Sequence, residues 1–393
     1  MRTVTDDERR ARLGVRHFLA PGHRAPNVAA AAHGLCGLHA TDPASVYLSA
    51  RARVDRATVA DIQREMYDER TVLRMLGMRR TMFVLDRSQV SVVQAACTDA
   101  VAARERRTLV AMLEDGGVTK NATRWLAETE AAVIDALEAR GEATGAQISA
   151  AVPAMATKVV IRPDKKWGGE IGVGSRVLTL MAAEGHIVRG RPKGSWISSQ
   201  YAWTPTDRWL PEGIAPMPTA DARAMLVDGW LHGFGPGTLA DIAWWTGLSQ
   251  RDIKAALTAI DAVTVLLEDG TAAYLAADDS AVVAAPKPWV ALLPALDPAP
   301  MGWTQRDWYL GPHKQALFDR SGNVGPTVWS GGRIVGGWGH RRSDGEIAIS
   351  LFEDPGKAAS KLIAAEAKTL REWIGDVRVS ARFPTPTEKA LSL

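Results

Sequence analysis

Residues 144–151 (TGAQISAA), 173–184 (VGSRVLTLMAAE) and 186–203 (HIVRGRPKGSWISSQYAW) decide how the chain folds. The first stretch forms a short capped helix, and the second forms a helix that Gly185 ends. The third alternates about a Pro192-Lys193-Gly194 turn, as a hairpin does. Helix, helix and two-stranded ribbon is the winged-helix order. The order recurs at 238–245 (TLADIAWW), 249–260 (SQRDIKAALTAI) and 263–275 (VTVLLEDGTAAYL). There Thr246-Gly247-Leu248-Ser249 is the interhelical turn and Asp269-Gly270 the hairpin turn. Residues 58–85 end in the same kind of ribbon, RTVLRMLGMRRTMFVL over 70–85. The repeat is one of architecture, because the sequences of the three units have diverged.

Working outward, Thr5 and Glu8 have capping-box spacing ahead of a basic helix that Pro21 stops. Asn27 caps an Ala-rich helix. His39-Ala40-Thr41-Asp42-Pro43 follows, where Thr41 or Asp42 caps a helix to about Val54 with Pro43 at its first position. Thr58 opens another helix through Tyr67, and long helical patterns cover 87–114 and 123–139. After residue 284 the pattern changes to strands at 289–293, 326–330, 333–339 and 346–352. One amphipathic helix covers 356–374, and a Pro/Thr-rich tail from Phe383 is expected to be peripheral. The expectation is an α+β fold in four parts. Residues 1–120 hold a helical region and the first winged-helix unit, 121–212 the second unit and 213–283 the third. Residues 284–393 form a C-terminal β-rich subdomain.

The 393 residues are 46% hydrophobic and 23% charged, which excludes a disordered chain. No apolar run is long enough to span a bilayer, and the first ten residues lack the apolar core of a signal peptide. Cys36 and Cys97 alone give neither a disulfide framework nor a cysteine zinc site, so a reducing cytoplasm is expected. The net charge of +3 hides an uneven distribution. Residues 1–120 carry 19 basic and 14 acidic side chains, residues 213–283 only 3 and 9. A polyanion would therefore be met by the first two parts and the last rather than by the third.

There is no HExxH, no paired CxxC and no Walker loop, and Gly172-Val173-Gly174 lacks the third glycine of a dinucleotide site. No metal or cofactor is expected. A winged helix places a helix in a groove of DNA and a ribbon beside it, with Lys and Arg on the phosphates. The candidate DNA contacts are Arg79 and Arg80 in the first ribbon, Lys165, Lys166 and Arg176, then Arg189, Arg191 and Lys193 with Trp196 beside them. Arg341 and Arg342, in the turn His340–Gly345, are the last pair. His39, Thr41 and Asp42 are three polar groups at a helix junction. A bland reading makes Asp42 a cap and His39 a surface histidine. A catalytic reading lets the imidazole and hydroxyl hold one water between them, with histidine the usual base near neutral pH.

Residues 34–53 (GLCGLHATDPASVYLSARAR), the ribbon 78–85 (MRRTMFVL) and 292–310 (LLPALDPAPMGWTQRDWYL) resemble the AlkZ/YcaQ-type winged-helix DNA glycosylases, across about 10–375. The resemblance implies tandem winged helices in a C-shape around DNA. It implies removal of N7-alkylated purines, in some members unhooking of interstrand crosslinks, and in some self-protection of antibiotic producers. It places catalytic residues at His39 and Thr41, where better-known members have Gln and then Gln or Asp. Asp42 stands as a possible electrostatic partner. The expected partner is double-stranded DNA carrying alkylated purines, bound by a monomer away from any membrane. If His39 is the base, activity should fall below a pH of about 6.5. The rival readings are a catalytically silent DNA-binding regulator or sensor, and a protein-interaction scaffold.

Overall fold

The computed structural model describes residues 1–161 and 169–393. Three winged-helix units follow one another and an antiparallel sheet succeeds them, an α+β fold. In the first unit, helices Val28–Gly34, Pro43–Arg51 and Val59–Gln63 precede the ribbon Val72–Leu76 and Met82–Asp86. The two-residue strand Leu38–His39 adds to the ribbon's edge, with His39 opposite Phe83. The second unit has helices Ala122–Arg140, Gly145–Ala151 and Gly174–Ala183, then the ribbon Ile187–Pro192 and Tyr201–Pro205. The third has helices Thr219–Phe234, Leu239–Thr246 and Gln250–Ala259, then Val263–Leu267 and Ala272–Leu275. Thr144 with Gln147, and Thr238 with Asp241, close capping boxes that start the equivalent short helices of these two units.

The C-terminal strands Val290–Leu293, Thr327–Ser330, Arg333–His340 and Ile347–Leu351 pair in chain order. Helix Lys357–Ile374 packs on the first of them. Two large apolar cores hold the molecule. One runs through the first unit, the third unit and the C-terminal sheet. Its aromatic rings form a chain from Phe83 through Trp245, Phe234, Trp303 and Tyr309 to Trp329, at centroid distances of 4.9–5.7 Å. The second unit has its own core around Leu126, Val133, Ile148, Val177 and Met181. Leu109 and Leu113 of helix Asp99–Asp115 belong to that core, so this helix connects the two bodies.

Several features differ from the sequence expectation. Strand Thr3–Val4 pairs in parallel with Val263–Leu267, a contact that two residues cannot announce. A second ribbon, Lys158–Ile161 with Gly169–Gly172, is inserted between helices of the second unit. Lys165 and Lys166 lie outside the described residues. The 87–114 pattern is broken by a wide turn at Gln94–Thr98, where Thr98 Oγ1 donates to Leu76 O at 2.8 Å. The helix expected to reach Val54 ends at Arg51. The tail is not peripheral: Thr385 and Glu388 are buried, and helix Pro386–Leu391 packs on strand Arg333–His340.

Candidate active site and basic groove

The turn from His39 to Pro43 is held at three points. Ala40 N–H donates to Met82 O at 2.8 Å, continuing the edge pairing that His39 begins. Arg74, from the neighbouring strand, donates to Ala40 O at 2.6 Å. Asp42 then caps helix Pro43–Arg51, with Oδ1 accepting from Ala44 N–H at 3.0 Å. Its other oxygen, Oδ2, accepts from Arg382 N–H at 3.0 Å, a donor 340 residues away. Proline at the first helical position has no N–H to satisfy, so the Asp-Pro pair starts the helix without an unpaired donor. Thr41 sits between these anchors, half-buried. The backbone of the turn is thus held by protein contacts alone.

His39 is not a surface histidine. Its side chain is 6% exposed, its ring meets Phe83 edge-on at 5.5 Å, and its enclosed Nδ1 has no protein hydrogen-bond partner. Burial, aided by the Arg79 charge and opposed by Asp297, pushes its pKa down to about 3. With its pKa held this low, His39 is uncharged near neutral pH, so its titration no longer leads one to expect a fall in activity near pH 6.5. Burial raises the Asp42 pKa above the usual aspartate value, against the pull of the Arg382 and Ala44 N–H groups.

The structure sorts the basic candidates into two sets. Arg79 and Arg80 both adopt left-handed backbone, at φ 54° and 59°. Arg79 stacks on Trp244 at 4.4 Å, and Arg80 pairs with Glu105 at 2.9 Å. Arg80 and the exposed Arg176 line a cleft of about 390 Å³ together with Thr108 and Met112 of helix Asp99–Asp115. A second cleft, of about 470 Å³, is lined by Arg79, Arg80, Arg104 and Arg107, with Gly247–Ser249 of the third unit beyond them. A third, of about 710 Å³, shares Arg107, Thr108 and Arg176. The shared residues make these one basic groove along the helix, between the second and third units.

The other basic residues are engaged elsewhere. Arg189 lies over Tyr201 and Trp203, at 4.8 and 5.2 Å. Arg191 pairs with Asp68 at 2.6 Å, Lys193 with Glu142 at 3.1 Å, and Arg341 with Asp344 of its own turn at 2.7 Å. Arg342 beside it is exposed. Trp196, which the sequence placed beside a basic ribbon, is buried against Tyr47 and Trp373. The tip of that ribbon therefore docks onto the first unit and helix Lys357–Ile374, and does not line the groove.

Three residues of consequence escaped the sequence reading. Arg104 and Arg107 are exposed one helical turn apart, and the run Arg104-Glu105-Arg106-Arg107 was the available signal. Arg74 had only its place in the ribbon to mark it. The buried ion pair Arg53–Asp297, at 2.7 Å, joins residues 244 positions apart, so the sequence alone did not pair them.

The sequence matches the family described as DNA glycosylase AlkZ-like over residues 32–373, and the chain belongs to that family. It is accordingly a DNA glycosylase. Among solved structures it is similar to the Streptomyces sahachiroi DNA glycosylase AlkZ, at 19% identity and a TM-score of 0.72, over 97% of this chain and 99% of that one. That likeness is one of fold. No curated protein sequence matches the chain. Among the described residues, no helix is long and apolar enough to cross a membrane.

Proposed function

We propose that the protein is a monofunctional glycosylase for N7-alkylated or bulky purine adducts in duplex DNA, acting by water placed between His39 and Thr41. The observation that carries this reading is the threefold anchoring of an uncharged His-x-Thr turn. An N7-alkylated purine is cationic before the enzyme acts. Water oxygen bonds to C1′ as the C1′–N9 bond breaks, the bond's electrons neutralise the departing base, and the water's proton goes to solvent. No strong acid is needed, and the positive charge moves to the sugar in the transition state. A neutral imidazole does not oppose that charge, whereas an imidazolium would. Asp42 contributes a fixed carboxylate that keeps the turn in place. The first lysine of the chain is Lys120, so the first unit offers no lysine side chain for a Schiff base, and strand cleavage by lyase chemistry is not expected.

The groove lined by Arg79, Arg80, Arg104, Arg107 and Arg176 is the proposed track for the phosphates. Its open form suits adducts that cannot be flipped into a closed pocket, including crosslinked bases. Arg342, exposed at its hairpin turn, remains the candidate for a further contact, with Lys165 and Lys166. The test is base release from a duplex with one N7-methylguanine, repeated with a larger N7 adduct. Alkali-sensitive breaks with wild type and about 100-fold slower release by His39→Ala are expected. DNA binding without release from either duplex overturns the proposal in favour of a silent damage sensor.

A further inference from the structure

We propose that the C-terminal strap, residues 376–391, is a positioning element of the active site, holding the Asp42 carboxylate and through it the Thr41 turn. The inference rests on reading His39–Asp42 as the reacting site. The strap lies beyond the family match, which ends at residue 373. Its path is fixed by backbone donors. Val379 N–H donates to His340 Nδ1 at 3.1 Å, Ala381 N–H to Glu388 Oε1 at 2.8 Å, and Arg382 N–H to Asp42 Oδ2 at 3.0 Å. Thr387 Oγ1 donates to Ala316 O at 2.9 Å.

The sheet beneath is shaped to receive it. A Cβ on Gly325 would stand 2.3 Å from Thr385 Oγ1, one on Gly337 2.8 Å from Thr387 Cγ2, and one on Gly339 2.8 Å from Leu391 Cβ. Glycine at these positions leaves the space the strap occupies. Between strap and turn lies a cavity of about 20 Å³, lined by Asp42, Ser45, Ala295, His340, Ala381 and Glu388.

Asp42 Oδ1 is used by its own helix, and Oδ2 by the strap amide. Without Arg382 N–H, a buried carboxylate oxygen loses its donor, and the carboxyl either takes a proton or swings out with the turn. Arg74 and Arg382 face Asp42 and favour its anion. Glu388 faces it with like charge, Arg342 faces Glu388, and His340 lines the shared cavity.

The test compares Arg382→Pro, which deletes the donor, with Arg382→Lys, which keeps donor and charge. With Arg382→Pro, single-turnover base release at saturating enzyme should slow about tenfold, with duplex affinity within about twofold. Arg382→Lys should stay within about threefold of wild type. Below pH 5.5 the rate should fall as Asp42 takes a proton, and that acid limb should begin at higher pH in Arg382→Pro, which loses both the amide donor and a charge that favours the carboxylate, than in Arg382→Lys, which keeps both. Gly339→Val, acting from the far end through Leu391, should give the same slowing at unchanged affinity. Hydrogen exchange of the Ala44 amide, measured without DNA, separates this inference from the glycosylase reading. Faster exchange in Arg382→Pro than in Arg382→Lys is expected even if wild type releases no base. Equal exchange in the two variants, or equal rates and acid limbs, overturns the proposal.

Discussion

Asp42-Pro43-Ala44 and Asp297-Pro298-Ala299 are the same tripeptide in two places, and they begin in the same way. Each Asp caps a helix, each Pro takes the first helical position, and each Oδ1 accepts the Ala N–H, at 3.0 and 2.9 Å. Their second oxygens diverge. Asp297 Oδ2 receives Ser49 Oγ at 2.6 Å and Arg53 at 2.8 Å, and a second Arg53 nitrogen reaches Oδ1. Asp42 Oδ2 receives one backbone N–H. The guanidinium overcomes burial and holds the Asp297 pKa below the usual value, while burial prevails at Asp42 and raises it. Ser45 and Ser49 both lie on the helix Asp42 caps, and they bind Ala295 O and Asp297. One motif thus serves as the fastening of the core and the other as the edge of a site. Local sequence makes the cap, and the distant partner decides the role.

The comparison predicts its largest effect in stability. Asp297→Ala leaves Arg53 buried and unpaired, which should cost about 3–5 kcal/mol. Asp42→Ala removes a cap and should cost about 1 kcal/mol. Denaturant midpoints measure both. Equal losses would break the distinction between fastening and site edge.

Activity should rank the residues differently. His39→Ala should slow base release about 100-fold, or about 2.7 kcal/mol of transition-state stabilisation. His39→Gln, uncharged and able to donate and accept, should recover all but about tenfold. Duplex affinity should be unchanged in both variants. A protein whose rate is indifferent to residue 39 would transfer the chemistry elsewhere.

Much of the fold was legible because it is written in local signals. Thr144, Thr238, Asp42 with Pro43 and the turns at Gly247 and Gly270 each announce a boundary, and the strands after residue 284 are set off by Gly/Pro-rich turns. The site was legible only as a motif. Burial of His39 depends on Phe83 and on packing across units, and Asp42 depends on Arg382. The tail looked peripheral because Pro and Thr carry no period, yet Gly337 and Gly339 of the sheet and Gly325 just before it leave it room. Arg189, Arg191 and Lys193 looked like phosphate ligands because charge is visible in sequence, whereas their stacking and ion pairs are not.

Three buried histidines, His17, His39 and His340, extend the comparison to pH, each held below its ordinary pKa by burial. His17 stacks on Trp303 and is also pushed down to about 3 by burial and the Arg53 charge. The unfolded chain protonates all three near pH 6.5 and the folded chain only at lower pH, so the unfolded state binds more protons just below pH 6.5. Stability should be full above about pH 7 and fall as pH drops through 6 toward 4, by about 1.4 kcal/mol per pH unit per histidine. His17→Phe, which keeps the aromatic contacts, should remove one histidine's share, about 1.4 kcal/mol per pH unit, from the slope between pH 6 and 5. The base-release rate of folded wild type should stay flat from pH 8 to 5.5, since His39 carries no proton there. A rate that halves near pH 6.5 would restore His39 as a titrating base.

The smallest expected effects lie in the groove. Arg104 and Arg107 are exposed, so replacing either by Ala should leave the denaturant midpoint within about 0.5 kcal/mol. Each phosphate contact removed should flatten the dependence of log affinity on log salt by about one unit and weaken binding alike on damaged and undamaged duplex. Lys193→Ala, whose ammonium is paired with Glu142 away from the groove, should leave the salt slope unchanged. Arg107→Ala tests the division most sharply, because its side chain lines both the cleft beside Arg79 and the one beside Arg176. If Lys193 and Arg107 change the slope equally, the DNA follows the second unit's ribbon as well as the groove, and the docking of Trp196 must open when DNA binds.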